Sequence, residues 1–184
     1  ASDTQKKLSG VIEEESTRLN QIVTEFLDFA RPQTPNLREC HLNEIIEKNL
    51  VFLKPELEKK GIAVTHNLDG RSYKLQADHD LIYRAILNIL INAMQSMKDG
   101  GSLDISVEEE KGHFRIDVED TGNGVGEDHI KKIFNPFFTT KEKGTGLGLS
   151  IVRKIIEEGH GGKVTIESKE GRGTKMQLHL PIIK

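Results

Sequence analysis

Two glycine clusters limit this chain more than any other feature. The first is Asp120-Thr-Gly-Asn-Gly-Val-Gly126 and the second is Gly144-Thr-Gly-Leu-Gly-Leu149, with Phe134-Asn-Pro-Phe-Phe138 between them. Glycine at alternate positions lets the backbone take positive φ and approach other groups closely, and it weakens helix and strand alike. Residues 121–145 therefore read as a long ordered loop held between regular elements. An apolar helix upstream carries Asn88 and Asn92. One carboxylate, two carboxamides and two stretches of unobstructed backbone are the parts that a magnesium nucleotide site needs.

The elements around this loop follow from period and punctuation. Leu8, Ile12, Ser16, Leu19, Val23, Phe26 and Ala30 step by threes and fours, with Ile22 and Phe29 widening the stripe; the spacing predicts a helix over 8–30. So broad a stripe needs more than one neighbour, as in a bundle or helical hairpin, and no partner precedes it, which suggests a truncated unit. Pro32 ends the helix, and residues 32–36 read as a stiff linker. Beyond it the pattern predicts a strand at 37–41 and a helix at 43–60 with Asn43 as N-cap and Gly61 as stop. Strands at 62–68 and 73–77 flank an Asp69-Gly70 turn, and a helix covers 79–98. A hairpin at 103–109 and 113–119 turns at Lys111-Gly112. A helix at 147–158 precedes a second hairpin at 163–168 and 174–181, which turns at Glu170-Gly171. The whole is α+β: a two-layer α/β sandwich, one mixed and mostly antiparallel sheet covered by helices, preceded by one long helix. The division is residues 1–31 as the helix, 32–36 as linker and 37–184 as the main domain.

Bulk properties exclude several classes. The 184 residues carry 26 basic and 29 acidic side chains, net −3, which argues against a general nucleic-acid binder. A single cysteine, Cys40, allows no internal disulfide. No apolar run approaches the ~18 residues of a membrane span, so the expectation is a soluble cytoplasmic domain or a soluble piece of something larger. The P-loop pattern, G-x-G-x-x-G and the signatures of eukaryotic-type protein kinases are missing, and Gly122 sits where an EF-hand loop needs an oxygen ligand. The histidines show no metal spacing; His160, between helix and strand, reads as a turn residue.

Asp120 closes a strand before a glycine turn. Alone it would read as an Asx-turn residue. As a carboxylate aimed into a pocket it would accept from the exocyclic amine of adenine; guanine offers an opposed acceptor, at a cost of ~1–3 kcal/mol. Asn88 and Asn92 share one helix face with Ala85 and Ser96, against an apolar face of Leu87, Leu90, Ile91 and Met94. A carboxamide oxygen is a hard ligand suited to Mg²⁺. Gly146-Leu147-Gly148-Leu149 opens a helix whose first amides suit a phosphate, with Lys141 and Lys143 nearby to neutralise charge. Phe134, Phe137 and Phe138 are three of only seven phenylalanines; in a loop they imply a lid that docks and undocks.

In this order and spacing, Asn88-x-x-x-Asn92-Ala93, Asp120-x-Gly122-x-Gly124, Phe134-x-Pro136-Phe137-Phe138 and Gly144-x-Gly146-x-Gly148-Leu149 resemble the N, G1, F and G2 boxes of bacterial sensor histidine kinases. Residues 14–19 and 26–32 look like the second helix of the dimerisation and phosphotransfer hairpin of nitrogen-regulation-type members. The resemblance implies the Bergerat ATP-binding fold shared with gyrase and Hsp90, with ATP and Mg²⁺ as cofactors. By that likeness Asn92 would hold the metal with Asn88 beside it, and Asp120 would contact adenine. Gly122, Gly124, Val125 and Gly126 would line the base pocket, with Thr174 beside it. Lys141, Lys143, Gly144, Thr145, Gly146, Leu147, Gly148 and Leu149 would surround the phosphates, and 127–145 would be the lid. Asn88, Asn92 and Lys141 are the catalytic candidates. The implied partners are a histidine-bearing dimerisation helix and a response-regulator receiver domain, with a homodimer in the full-length protein and no nucleic acid.

Three departures from that pattern matter. No histidine here is followed by Glu/Asp and Arg, so the acceptor would lie N-terminal to residue 1. Gln95 and Ser96 stand where many members carry Lys and an aromatic, which shifts phosphate contacts towards Lys141 or Lys143. Asn88 stands where gyrase-like ATPases carry a glutamate base, and a carboxamide cannot take a proton from water. The expected function is ATP-dependent transfer to a histidine. The alternatives are a nucleotide-binding scaffold without chemistry, or an ATPase of the gyrase and Hsp90 kind.

Overall fold

The computed structural model describes residues 3–31, 34–68, 72–141 and 144–182. The order is α1 (Asp3–Ala30), β1 (Arg38–His41), α2 (Leu42–Lys59), β2 (Ile62–Asn67), β3 (Lys74–Ala77), α3 (His79–Ser96), β4 (Gly101–Glu110), β5 (His113–Asp120), α4 (Glu127–Ile130), α5 (Gly148–Arg153), β6 (Lys163–Lys169) and β7 (Gly173–Pro181). Past Arg153, α5 continues as a π-helical stretch over Lys154–Gly159.

A five-stranded sheet runs β2-β4-β5-β7-β6, and β1 pairs with β3 in a separate two-stranded sheet. β2 lies parallel to β4, while the other pairs are antiparallel. The α+β sandwich with a mixed, mostly antiparallel sheet is thus present. The strands on either side of the expected 69–70 turn belong to different sheets, and that turn lies outside the described residues, as do Pro32 and Gln33 of the linker. The helix over 79–98 ends at Ser96, and that over 43–60 begins one residue early. Asn43 is not its cap: His41 holds that position without a side-chain cap bond, and the Leu42 N–H is satisfied by Tyr73 O at 3.0 Å.

The core forms where period meets face. On α3 the side chains of Ile82, Ala85, Ile86, Ile89, Leu90, Ala93 and Met94 are buried, the stripe expected of a helix lying on a sheet. On β5 the alternate residues Phe114, Ile116, Val118 and Asp120 are buried, because successive strand side chains point to opposite faces. Asp120 therefore inherits the helix-facing side from the apolar residues before it. Its partner on β7 is Thr174. The opposite face of the sheet is polar, and on it Asp117 is buried among Arg115 (2.9 Å), Lys175 (3.0 Å) and Gln177 (3.3 Å).

Two tethers fix α3. Asp78 is its N-cap: Oδ1 accepts from the amides of Asp80 and Leu81, each at 3.1 Å, and Oδ2 accepts from the Asn36 amide at 2.9 Å. The Asp78 amide donates to His160 Nε2 at 3.0 Å, and His160 Nδ1 lies 2.7 Å from Ile155 O. His160 is buried and joins the Asp78 amide to the Ile155 carbonyl, so it is a structural link rather than a catalytic group.

Candidate active site

The cleft opens where α3, the end of β5 and the two glycine segments meet. It encloses about 520 Å³, within the range usual for small-ligand sites. Asn88 and Asn92, half-buried, flank the apolar stripe of α3 and face this space, and Ser96 continues the same edge.

Asp120 is 6% exposed. Its Oδ1 accepts from the Gly122 amide at 2.8 Å, and the Ser96 hydroxyl lies 2.9 Å away. That hydroxyl is also 2.7 Å from Ala93 O, so its single proton serves one oxygen at a time. Burial pushes the Asp120 carboxyl up from its usual range, opposed by the Gly122 amide, Ser96, the Thr174 backbone and the charge of Lys141. Gly122 is needed by contact: a Cβ there would fall 2.0 Å from Ser96 Oγ. Gly124, at φ +66°, lies against β6–β7, where a Cβ would sit 2.1 Å from Lys169 O.

The second glycine segment approaches from the other side. A Cβ built on Gly148 would lie 3.6 Å from Asn88 Oδ1 and 3.7 Å from Asn92 Nδ2, which places the start of α5 directly against the carboxamide pair. Lys141 reaches in from the loop. Its Nζ donates to Asn92 Oδ1 at 2.9 Å and Gln95 Oε1 at 2.6 Å, and burial lowers its pKa while Asp120 opposes the shift.

Asn88, Asn92, Asp120, Gly124, Val125, Gly126, Lys141, Gly144, Thr145, Gly146, Gly148, Leu149 and Thr174 all line this one cleft. Two expected residues do not. Gly122 stands behind Asp120 and supports it through its amide, and Leu147 is fully buried in the core. Lys143 lies outside the described residues. Sequence reasoning missed Ser96 as a partner of Asp120, although its place four residues after Asn92 put it on the right face. It also missed Ser168, whose Oγ accepts from the Val125 amide at 2.8 Å and lies 2.9 Å from Thr174 Oγ1, and Glu25 of α1. Those two come from distant segments and left no local signal.

The loop packs through its aromatics. Phe134 lies under the Arg153 guanidinium at 5.8 Å, Phe138 against His129 at 5.6 Å, and Phe137 against Phe26 of α1 at 6.3 Å. Thr145 Oγ1 donates to a Glu25 carboxylate oxygen.

Residues 77–184 match the family described as histidine kinase-, DNA gyrase B-, and HSP90-like ATPase. The chain is 34% identical over 176 residues to the sensor histidine kinase ZraS of Escherichia coli K12, covering 96% of this chain and 38% of ZraS. It is 35% identical over 173 residues to sporulation kinase E of Bacillus subtilis 168, covering 94% of this chain and 23% of that one. The chain thus spans well under half of these relatives. Among solved structures, the catalytic domain of histidine kinase ThkA superposes with TM-score 0.73 at 35% identity, over 79% of this chain and 95% of that one. ThkA in complex with response regulator protein TrrA gives 0.83 at 32% identity, over all of this chain and 53% of ThkA. On the family match and the likeness of sequence and fold, the chain belongs to the histidine kinase-, DNA gyrase B- and HSP90-like ATPases, and within them to the sensor histidine kinases.

Proposed function

We propose that residues 37–184 bind ATP with Mg²⁺ and pass its γ-phosphoryl group to a histidine on a dimerisation helix, for relay to a response-regulator aspartate. In this reading α1 is the second helix of the dimerisation hairpin and residues 32–36 are the linker. The observation that carries it is convergence: a buried carboxylate, two carboxamides and two glycine segments, from positions 88 to 174, face one cleft.

Asp120 would accept from the adenine amine, with Thr174 and Val125 beside the base. Gly144, Thr145, Gly146, Gly148 and Leu149 would lie along the phosphates, close to the start of α5 where unpaired amides favour anions. Asn92 fits a hard cation: its Oδ1 already faces the Lys141 ammonium, so the oxygen is presented to positive charge. Mg²⁺ there would neutralise phosphate oxygens and align the transferring group. Asn88, a carboxamide beside it, orients but cannot act as a base, which favours transfer to an imidazole over hydrolysis. Lys141 must leave Asn92 when the metal enters, and would then be free for phosphate.

The likeness to sensor histidine kinases supports a homodimer built on α1. Leu8, Val11, Ile12, Leu19 and Val23 are each more than half exposed along that helix, an apolar stripe of the kind that marks an interface. No described helix is long and apolar enough to cross a membrane.

The test supplies labelled ATP, Mg²⁺ and a separate hairpin fragment bearing an acceptor histidine. Acid-labile label on the fragment, lost with Asp120→Asn, is expected. Steady phosphate release without transfer would favour an ATPase instead, and tight binding with neither outcome a nucleotide-binding scaffold.

A further inference from the structure

The end of the sheet away from the cleft carries three side chains that the nucleotide reading does not use. Glu110 ends β4, His113 begins β5, and the two are cross-strand partners. Lys111 and Gly112 between them have φ of 21° and 87°, as in a tight two-residue hairpin turn that fixes strand register. His179 on β7 pairs with Arg115, so it sits diagonally from His113 on the same face. That face is the one turned away from the helices, since the intervening Phe114 and Ile116 are buried.

One Glu110 carboxylate oxygen and one ring nitrogen from each histidine all lie within 4.8 Å of one another. Glu110 Oε2 is 3.4 Å from His113 Nε2. An ion with tetrahedral bonds of about 2.0–2.1 Å holds its ligands about 3.3–3.4 Å apart. The first pair already has that spacing, and small rotations of half-buried side chains bring in His179.

We propose that Glu110, His113 and His179 form a three-ligand site for a divalent transition-metal ion of the zinc class, with a fourth position open to water. Two imidazoles and one carboxylate suit zinc, copper or nickel; magnesium and calcium prefer oxygen alone. Arg115 is the competing cation, since its guanidinium binds the other oxygen of Glu110. It is shared with Glu108 at 2.7 Å and Asp117 at 2.9 Å, which leaves Glu110 Oε2 towards His113. Thr165 Oγ1 lies 3.5 Å from His179 Nε2 and can orient that ring. Bound metal would clamp the β4–β5 hairpin to β7. The site lies seven residues along β5 from Asp120, or about 23 Å at the usual strand rise, so it is separate from the nucleotide cleft.

The experiment titrates Zn²⁺ into the metal-free chain without nucleotide, by calorimetry and by melting. It compares the parent with His113→Asn, His179→Asn and Glu110→Gln, and with His129→Asn on α4 as control. The parent should bind one equivalent that each of the three variants weakens by at least about tenfold, with a rise in Tm that they lose and the control keeps. Equal isotherms in the parent and the three variants, or loss confined to His129→Asn, would overturn the site. If a variant does not fold, nuclear magnetic resonance of the parent decides: the ring signals of His113 and His179 must move first, and earlier movement at other histidines refutes the proposal.

Discussion

Asp120 shows how one buried group trades stability for chemistry. Its carboxyl is raised by burial, so the folded state holds the proton more tightly than the unfolded chain does. The stabilising contribution of that proton is complete below the ordinary carboxylate value of 3.8 and is lost as pH rises through the folded value. At neutral pH the ionised group therefore works against the fold. Asp120→Asn keeps an oxygen for Gly122 and Ser96 but has no second acceptor for a ligand amine. The variant should melt at or above the parent temperature at pH 7.5, with the difference closing as pH approaches 4. Its ATP affinity should fall by ~1–3 kcal/mol, roughly 5- to 150-fold. Paired melting curves and calorimetry check both signs, and a lower Tm at pH 7.5 would contradict the assignment. Much of this residue was legible beforehand, because a strand-ending aspartate before alternate glycines is a local signal. Its hydroxyl partner was not: Ser96 is 24 residues away, and only the packing of α3 on β5 brings it near. Gly122 and Leu147 fail as cleft-lining residues for a related reason: motif spacing identifies a segment, but not which of its groups faces inwards.

At the scale of elements, α3 is set by its cap. The Asp78 carboxylate is partly buried, which alone would raise its pKa. The amides of Asn36, Leu81 and Asp80, aided by His160, outweigh this and lower it. A lowered carboxyl contributes stability above its unfolded value, and that contribution disappears as pH falls through the folded one. Asp78→Ala should cost about 1 kcal/mol at pH 7 and very little near pH 2, measured by urea unfolding at both. Since α3 carries Asn88 and Asn92, the variant should also weaken nucleotide binding modestly. The longer helices and both hairpins could be read from period and turn residues, as with Leu8 to Phe26 of α1 and the Lys111-Gly112 and Glu170-Gly171 turns, whereas α4 fell within the stretch read as loop. Pairing could not: nothing local says that β2 runs parallel to β4 while β3 leaves for β1. The π-helical end of α5 was equally hidden, because it accompanies His160, whose ring bonds back to Ile155 and across 82 residues to Asp78.

At the scale of the whole molecule, α1 contacts the aromatic loop that is proposed as a lid. Phe26 stacks on Phe137, Glu25 accepts from Thr145, and the Lys154 ammonium caps the C-terminal end of α1 through Phe29 O at 2.5 Å and Arg31 O at 3.2 Å. A cation among those last carbonyls is where the helix dipole favours it. In this arrangement Lys141 covers Asn92, so on the proposed reading a metal nucleotide would have to shift that ammonium and the residues that carry it. Contacts to α1 resist that shift. An aromatic pair of this kind is worth about 0.5–1.5 kcal/mol, so Phe26→Ala should raise ATP affinity by roughly two- to tenfold and speed hydrogen exchange across residues 134–141. Lys141→Ala tests the other half of the same coupling. It uncovers Asn92 and should bring in Mg²⁺ at lower concentration, while transfer to a histidine slows because the ammonium that could follow the phosphate is gone. If Phe26→Ala instead weakens ATP without changing exchange in the lid, α1 is a passive neighbour, and the closed loop is already the nucleotide-binding form.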